Sequence, residues 1–407
     1  MVKGGSNLRF IVTVSGKSFK CLRCGTCCYS GVELCPSEVK FLTSEYPWLK
    51  SYIVIKYQRD QALSAGPRYV LSPRRRVESV FLQRCPFFKY VDDVGCCMIY
   101  DKRPNYCRVY PLFMGYLKHE DILIVDVLNC PGTFTEGATV DLTYVNSILR
   151  ELKFLDEYLK IIPNISPQVP LDNKGQVVLS PLHRRELLNR IGTTIGEILR
   201  QVPTQNFVRE LVRLPLKLYF TLHTAKYHVL GNVLYVKPLL QELEEIWTSL
   251  QIPEDIVREL YQVLYSTLMR PYLKYGVLKL PDVFRREFVS APTISYALEK
   301  FYRIQISDTA KNMLLNYIAE VLSRVPTYFA IHKLPTPIYT LIITTTSVSI
   351  LLHMMIRGYY MRYELEKEVA RGIWVSDVLG TGLISERGHY LIPQLLNYLR
   401  TLNHLIN

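Results

Sequence analysis

All ten cysteines of this 407-residue chain lie between Cys21 and Cys130, and none occurs in the 277 residues that follow. The first four stand in the run CLRCGTCC at residues 21–28, two overlapping C-x-x-C pairs that end in adjacent thiols. Each C-x-x-C turn can bring two sulfur atoms to one ion, and thiolates suit zinc and iron–sulfur clusters. So short a loop offers little core in which inert thiols could be buried. The spacing therefore predicts a metal site.

The composition sets the class of protein. Hydrophobic residues make up 49% and charged residues 21%, which excludes a disordered chain and an obvious bundle of membrane helices. Residues 1–20 contain no apolar run between a basic head and a small-residue cleavage site, so we expect a reducing cytoplasm. In that compartment C-x-x-C pairs favour metal ligation. A secreted disulfide scaffold is the rival hypothesis, and the length of the chain argues against it.

The positive charge accompanies the cysteines. Of the net charge of +13, residues 1–108 contribute 18 Lys and Arg against 8 Asp and Glu, and the rest of the chain 31 against 28. This excess could offset the negative charge of thiolate-bound metal, which is the interpretation we favour. It could also bind an anionic surface or nucleic acid, for which Arg74, Arg75 and Arg76 are the clearest candidates.

The pattern along the chain predicts an α+β protein, a small mixed cysteine-rich module followed by a larger all-α helical domain. Strands are predicted at 8–14, 69–71 and 122–128, and a short helix begins at Pro36. One long helix is predicted over residues 142–162, and turn-forming residues follow at 163–175. We therefore expect a cysteine-cluster domain at 1–140, a helix and linker at 141–165, and a helical domain of unknown function at 166–407.

One segment of the helical domain could be mistaken for a membrane span. Residues 334–356 hold no charged residue and are long enough to cross a bilayer. Two prolines, a Thr-Thr-Thr-Ser run and His353 lower the hydrophobicity of the segment, so we predict a buried core helix. Membrane association is therefore not expected.

The second group of cysteines completes a recognisable pattern. It comprises Cys85-Pro86-Phe87, the run CCMIYDKRPNYCRVYP at residues 96–111, and Cys130-Pro131. Together with residues 21–28 these elements resemble the CxxCxxCC cysteine-cluster family, also called YkgJ-like, described as zinc- or iron-chelating. The resemblance covers residues 20–132, and Tyr110 stands where the family has Phe.

The resemblance implies eight metal ligands: Cys21, Cys24, Cys27, Cys28, Cys85, Cys97, Cys107 and Cys130. Cys97 is preferred to Cys96 because it stands two residues before Ile99-Tyr100, as the family motif requires. Cys35 and Cys96 have no counterpart in that motif, and each is interpreted as a buried thiol that binds no metal. An all-sulfur set suits zinc and iron–sulfur clusters equally, and we lean towards iron–sulfur because the opening run is similar to ferredoxin ligation.

Three classes of function remain open. The first is metal binding through these thiolates, with an unidentified protein partner or substrate. The second is an enzyme, either a cluster-dependent redox protein or a protein lysine methylase, since relatives of the family are associated with flagellin lysine N-methylation. The only phrase like a cofactor loop, Asp377-Val378-Leu379-Gly380-Thr381-Gly382, has no room for the βαβ units that should follow it. The third is a zinc module that binds nucleic acid through Arg74–Arg76.

Overall fold

The computed structural model describes residues 9–13, 16–23, 25–28, 32–56, 68–71, 85–92, 94–225, 227, 229–230, 233–234, 236–264, 302, 304–324, 333–377, 392–400 and 402. These residues belong to two compact units, one reaching from the start of the chain to Ile165 and one running from Ser166 onward. The first unit is rich in strands and the second is mostly helical, so the predicted α+β class is confirmed.

Two small sheets and a hairpin organise the first unit. The first sheet has the order β1-β9-β8, from β1 (Arg9–Val12), β8 (Leu112–Leu117) and β9 (Ile122–Val127), with β9 parallel to β1 and antiparallel to β8. The central strand β9 is buried at all six positions, as its largely apolar sequence predicts, and Asp126 is the one charged residue in it. The second sheet joins β3 (Val32–Leu34), β5 (Arg68–Leu71) and β4 (Ile53–Lys56). The hairpin consists of β6 (Phe88–Val91) and β7 (Val94–Cys97), and a short pair consists of β2 (Ser18–Phe19) and β10 (Ala138–Thr139).

In the described part of the first unit, four helices pack against these sheets. They are α1 (Pro36–Glu45), α2 (Asn105–Val109), α3 (Leu142–Glu151) and α4 (Leu155–Ile161). The buried apolar residues in this part of the unit form two hydrophobic cores. One core packs α3 and α4 against the β1-β9-β8 sheet. The other lies beneath α1 and the β3-β5-β4 sheet, and Cys85, Cys97 and Cys107 pack against it. The cysteines are thus placed where a packed core can hold them.

The prediction of one long helix over residues 142–162 is wrong. The helix ends at Glu151 and a second one starts at Leu155, because Phe154 takes a left-handed conformation with φ of 56°. The break turns the chain so that the carbonyl of Lys153 accepts a hydrogen bond from the side chain of Asn105. Periodicity could not reveal the break, since both helices present leucines to the same core.

The second unit is built mainly from helices. They are α5 (Pro181–Gln201), α6 (Thr204–Thr224), α7 (Val236–Ser249), α8 (Glu254–Leu264), α9 (Asp308–Ser323), α10 (Thr336–Met361), α11 (Leu365–Val375) and α12 (392–400). Two hairpins of two-residue strands accompany them: Val169–Pro170 with Val178–Leu179, and Val229–Leu230 with Val233–Leu234. Ser307 caps α9, since its hydroxyl accepts a hydrogen bond from the Ala310 N–H.

Helix α10 contains the segment that could be mistaken for a membrane span. Within the described part of the chain it is one helix long and apolar enough to cross a bilayer, over Thr336–Ile356, and that stretch is entirely buried. Helices α6 and α11 pack against it. Its threonines donate to carbonyls one turn earlier, as from Thr346 to Ile342 at 2.8 Å, so burial leaves these hydroxyls hydrogen-bonded. The prediction of a buried core helix is confirmed.

Candidate metal centre

Most of the predicted ligands line one cavity of about 420 Å³ inside the first unit. Seven of the eight lie in its wall: Cys21, Cys27, Cys28, Cys85, Cys97, Cys107 and Cys130. The eighth, Cys24, lies outside the described residues. No disulfide joins the described cysteines. The structure thus brings together sulfur atoms that the chain separates by up to 109 positions.

The loop at residues 21–28 is shaped by a glycine and tied to the second group of cysteines. Gly25 has φ of 72°, and a Cβ atom there would lie 2.2 Å from the ring of Phe88, so the close approach requires glycine. A single 3-10 turn, Thr26–Cys28, then presents the adjacent thiols. The N–H of Cys85 donates to the carbonyl of Cys28 at 2.6 Å. This bond fixes the start of the second cysteine group beside the first.

The β6–β7 hairpin delivers Cys97. It pairs Phe88 with Cys97 and Lys89 with Cys96, so the adjacent cysteines occupy successive positions of one strand. At Gly95 a Cβ atom would lie 2.3 Å from the carbonyl oxygen of Arg23, which shows how closely the hairpin packs on the first loop. The glycine between the hydrophobic strand residues thus has a packing role.

A buried carboxylate positions Cys107. Glu38, in the first turn of α1, accepts hydrogen bonds from the N–H of Cys35 at 2.9 Å and from the N–H of Asn105 at 2.6 Å. Asn105 is the first residue of α2, the one-and-a-half-turn helix that carries Cys107. Burial raises the pKa of Glu38, while both backbone N–H donors act in the opposite direction. The carboxylate therefore joins the starts of two helices.

Five thiols interact electrostatically at one end of the cavity. The thiol of Cys28 hydrogen-bonds with Cys27; this bond lowers the pKa of Cys27 and raises that of Cys28. Burial raises the pKa of Cys85 to about 11 and also raises the pKa of Cys97. Burial likewise raises the pKa of Cys107 well above its ordinary value, and the neighbouring thiols Cys27, Cys85 and Cys97 raise it further. The thiols therefore lie within electrostatic range of one another.

The guanidinium of Arg103 lies beside this group. Its charge lowers the pKa of Cys27, Cys97 and Cys107, in opposition to the effect of burial on the last two. Two contacts with Tyr100 hold the guanidinium in place. The Nε atom of Arg103 donates to the Tyr100 carbonyl at 2.9 Å, and its Cζ atom lies 3.7 Å from the centre of the Tyr100 ring. The position of Arg103 therefore fits the prediction that nearby arginines offset the negative charge of the thiolates.

The remaining two described ligands lie at another part of the wall. Cys21 is exposed and Cys130 is buried. The pKa of Tyr144 is raised to about 12, mainly by burial, and Cys130 and Cys21 both contribute to the rise. Cys130 precedes the 3-10 turn Pro131–Phe134, whose Thr133 hydroxyl donates to the Cys130 carbonyl at 2.7 Å. Helix α3 contributes Tyr144 and Ile148 to the same wall. Sequence reasoning missed these two residues, because nothing in a helical stripe distinguishes a cavity wall from core.

The two cysteines outside the family motif differ from each other. Cys35 is fully buried, does not line the cavity, and has a pKa raised by burial to about 12, as expected of an inert core thiol. Cys96 is half-buried and lines the cavity beside Cys97. The prediction that this thiol is buried is therefore wrong. Whether it ligates metal stays a prediction.

The cavity wall contains the donors that a thiophilic metal needs. Among its described residues sulfur is the only side-chain donor of the metal-binding kinds, since no His, Asp or Glu takes part. Within the described chain, no group of three or more Cys, His, Asp or Glu side chains is placed closely enough to hold a metal ion. Loading would therefore require the thiols to rotate about χ1 towards one point, which a side chain with one torsion does readily.

Other predicted sites fall elsewhere. Arg74–Arg76 and residues 378–382 of the glycine-containing phrase lie outside the described residues. Asp377 is described, and it forms a buried ion pair with Arg324 at 2.7 Å and accepts a hydrogen bond from Tyr317 at 2.8 Å. That arrangement fits a structural role at the end of α11.

Comparison with known proteins adds one finding. Residues 20–130, about a quarter of the chain, match the model of the protein family CxxCxxCC, described as "Putative zinc- or iron-chelating domain". No curated protein and no solved structure matches the chain.

Proposed function

Because residues 20–130 match the model of the CxxCxxCC family, we propose that this segment holds an iron–sulfur cluster in the thiol-lined cavity. The primary ligands are the thiolates of Cys27, Cys85, Cys97 and Cys107. Cys28 supports Cys27 through its hydrogen bond. The other predicted ligands, Cys21, Cys24 and Cys130, complete the eight-thiolate set that the family implies.

The observation that carries this proposal is the meeting of distant cysteines at one cavity. Cys27, Cys85, Cys97 and Cys107 come from separate parts of the chain, and the first three each raise the pKa of Cys107. Half-buried thiols that line a cavity gain little as hydrophobic residues, whereas thiolates around a cation satisfy their charge. When bound, the cluster would supply electron-transfer or Lewis-acid chemistry, and Arg103 would balance part of the negative charge of its ligands.

The volume of the site supports a cluster over a single zinc ion. A cavity of about 420 Å³ is far larger than a four-coordinate ion requires, since the sulfur ligands of zinc lie only about 2.3 Å from it. Zinc remains the alternative, because the donor set is the same for both.

Metal analysis of the full-length protein purified under argon tests this proposal. We expect iron and acid-labile sulfide in equal amounts, a brown colour, and a paramagnetic signal after reduction. A colourless protein with stoichiometric zinc would show that the site holds zinc and not a cluster, and metal binding itself would still be supported. A folded protein with neither metal would overturn the whole proposal.

A further inference from the structure

The cavity is larger and less polar than a metal site alone requires. Its volume of about 420 Å³ falls within the range of roughly 300–1,000 Å³ that is usual for small-molecule sites. Away from the five clustered thiols, the wall is apolar and includes Phe19, Tyr144 and Ile148. These apolar side chains supply no ligand to a metal.

The charges in the wall all have one sign. Its charged members among the described residues are Arg23, Arg103 and Arg108, and no carboxylate accompanies them there. Arg108 is engaged with the backbone, since its guanidinium donates to the carbonyls of Asp101 and Arg103. Arg103 donates to a backbone carbonyl, that of Tyr100, only through its Nε atom. Its two terminal nitrogens donate no hydrogen bond to any described residue.

Resting on the proposed metal centre, we propose that this cavity also takes a small organic oxyanion, bound at the terminal nitrogens of Arg103 with its apolar body against Tyr144 and Ile148. The planar fork of an arginine matches a carboxylate or a phosphate group with two parallel hydrogen bonds. Tyr100 connects the two regions, because Arg103 stacks on its ring and its hydroxyl influences the pKa of Tyr144.

Arginine is suited to this position for an electrostatic reason. A thiolate-bound cluster repels an anion, so an anionic ligand can approach it only where a fixed cation stands between them. Arg103 meets this condition, because its guanidinium lies in the cavity wall with the thiols and is held there by the ring of Tyr100.

Calorimetric titration of the metal-loaded, full-length protein under argon tests this inference with four probes. Phenylacetate and phenyl phosphate carry an oxyanion on an apolar ring, benzyl alcohol has the ring without the charge, and inorganic phosphate has the charge without the ring. We expect at least one of the first two to bind about tenfold more tightly than either of the last two. Preference between phenylacetate and phenyl phosphate identifies the oxyanion as carboxylate or phosphate.

Two variants locate the binding. Arg103→Met removes the guanidinium and should weaken the preferred probe at least about tenfold, whereas the same change at exposed Arg150 should not. Ile148→Trp fills the apolar part of the cavity without replacing a thiol, and Ser147→Trp on the exposed face of the same helix is its control. We expect Ile148→Trp to abolish binding and to retain the metal.

Metal content measured on every sample separates the two proposals. A protein that holds its metal fully and binds neither oxyanion overturns this inference and leaves the metal centre in place. Binding that survives Arg103→Met and Ile148→Trp at full strength also overturns it. A folded protein without metal overturns both.

Discussion

At the scale of single residues, the two kinds of cysteine in the first unit differ in their surroundings. Cys107 lines the cavity and interacts with three other thiols, whereas Cys35 is buried at the start of α1 with Glu38 as its neighbour. Both pack against the same part of the molecule and both have raised pKa values. Only the first has partners with which to bind a metal.

Replacing one cavity thiol should therefore remove the metal. We expect Cys107→Ser to reduce bound metal at least about tenfold, because a serine hydroxyl does not ionise at neutral pH. Cys35→Ser, the same change at a thiol outside the cavity, should retain the wild-type metal content. Iron and zinc analysis of both purified variants provides the measurement, and equal losses would contradict the distinction.

The thiols should also differ in reactivity once the metal is removed. The hydrogen bond from Cys28 lowers the pKa of Cys27, whereas burial raises that of Cys85 to about 11. A group with a lowered pKa becomes a thiolate first as the pH rises, so iodoacetamide should modify Cys27 at a lower pH than Cys85. Mass spectrometry of the metal-free protein over a pH series measures the order.

Removing the donor tests the cause of this difference. In Cys28→Ala the pKa of Cys27 should rise, and its labelling curve should shift to higher pH. Cys96→Ala is the matched control, since Cys96 lines the same cavity without that hydrogen bond to Cys27. A curve that does not move in Cys28→Ala would show that another group lowers the pKa.

At the scale of elements, α1 and α2 are joined through one carboxylate. Glu38 accepts from the first residues of both helices and is itself buried. Helix α2 has only five residues, too few to be stable alone, so its position depends on such contacts. The placement of Cys107 is therefore a consequence of a residue 69 positions earlier.

Glu38→Gln should disturb this connection at nearly constant size. An amide offers one acceptor oxygen, and its NH2 group would face a backbone N–H that then lacks a partner. We expect the free energy of unfolding to fall by about 1–3 kcal/mol and the metal to be released faster to a chelator. Chemical denaturation and a chelator competition measure these changes.

The control is Glu45→Gln at the other end of α1. Glu45 forms an exposed ion pair with Lys102 at 2.5 Å, and such pairs contribute under about 1 kcal/mol. Effects of similar size in the two variants would contradict a special role for Glu38.

At the scale of the whole molecule, the positive charge of the chain is concentrated with the cysteines. A four-thiolate centre with a divalent zinc or a 2+ cluster core would carry about −2, which nearby arginines offset. Arg103 fits this interpretation by its position. The hypothesis of nucleic-acid binding depends on Arg74–Arg76, which lie outside the described residues, and it stays a prediction.

Heparin chromatography distinguishes the two uses of charge. If the charge serves compensation, the metal-loaded protein should elute at low salt, and Arg74→Ala/Arg75→Ala/Arg76→Ala should elute only slightly earlier. The control removes the same charge elsewhere in the first unit, as Lys118→Ala/Arg150→Ala/Lys160→Ala, where all three residues are exposed. Strong retention that only the first triple variant loses would favour nucleic-acid binding.

The sequence alone determined the class of the site and much of the framework around it. Cysteine spacing predicted a thiolate metal site, and apolar runs placed β9, α1 and the buried helix α10, because these signals depend on neighbours along the chain. The division of residues 142–162 into two helices could not be predicted, because it depends on a left-handed turn at Phe154 and a contact with Asn105.

Tertiary structure alone decided which thiols share surroundings. The meeting of Cys27, Cys85, Cys97 and Cys107 and the entry of Cys96, Tyr144 and Ile148 into the cavity wall join residues far apart in the chain. The spacing of cysteines along the sequence reflects local turns. A cavity, in contrast, is bounded by elements that come together only when the two cores pack. For that reason the chemistry could be predicted from the sequence, and the shape of the site could not.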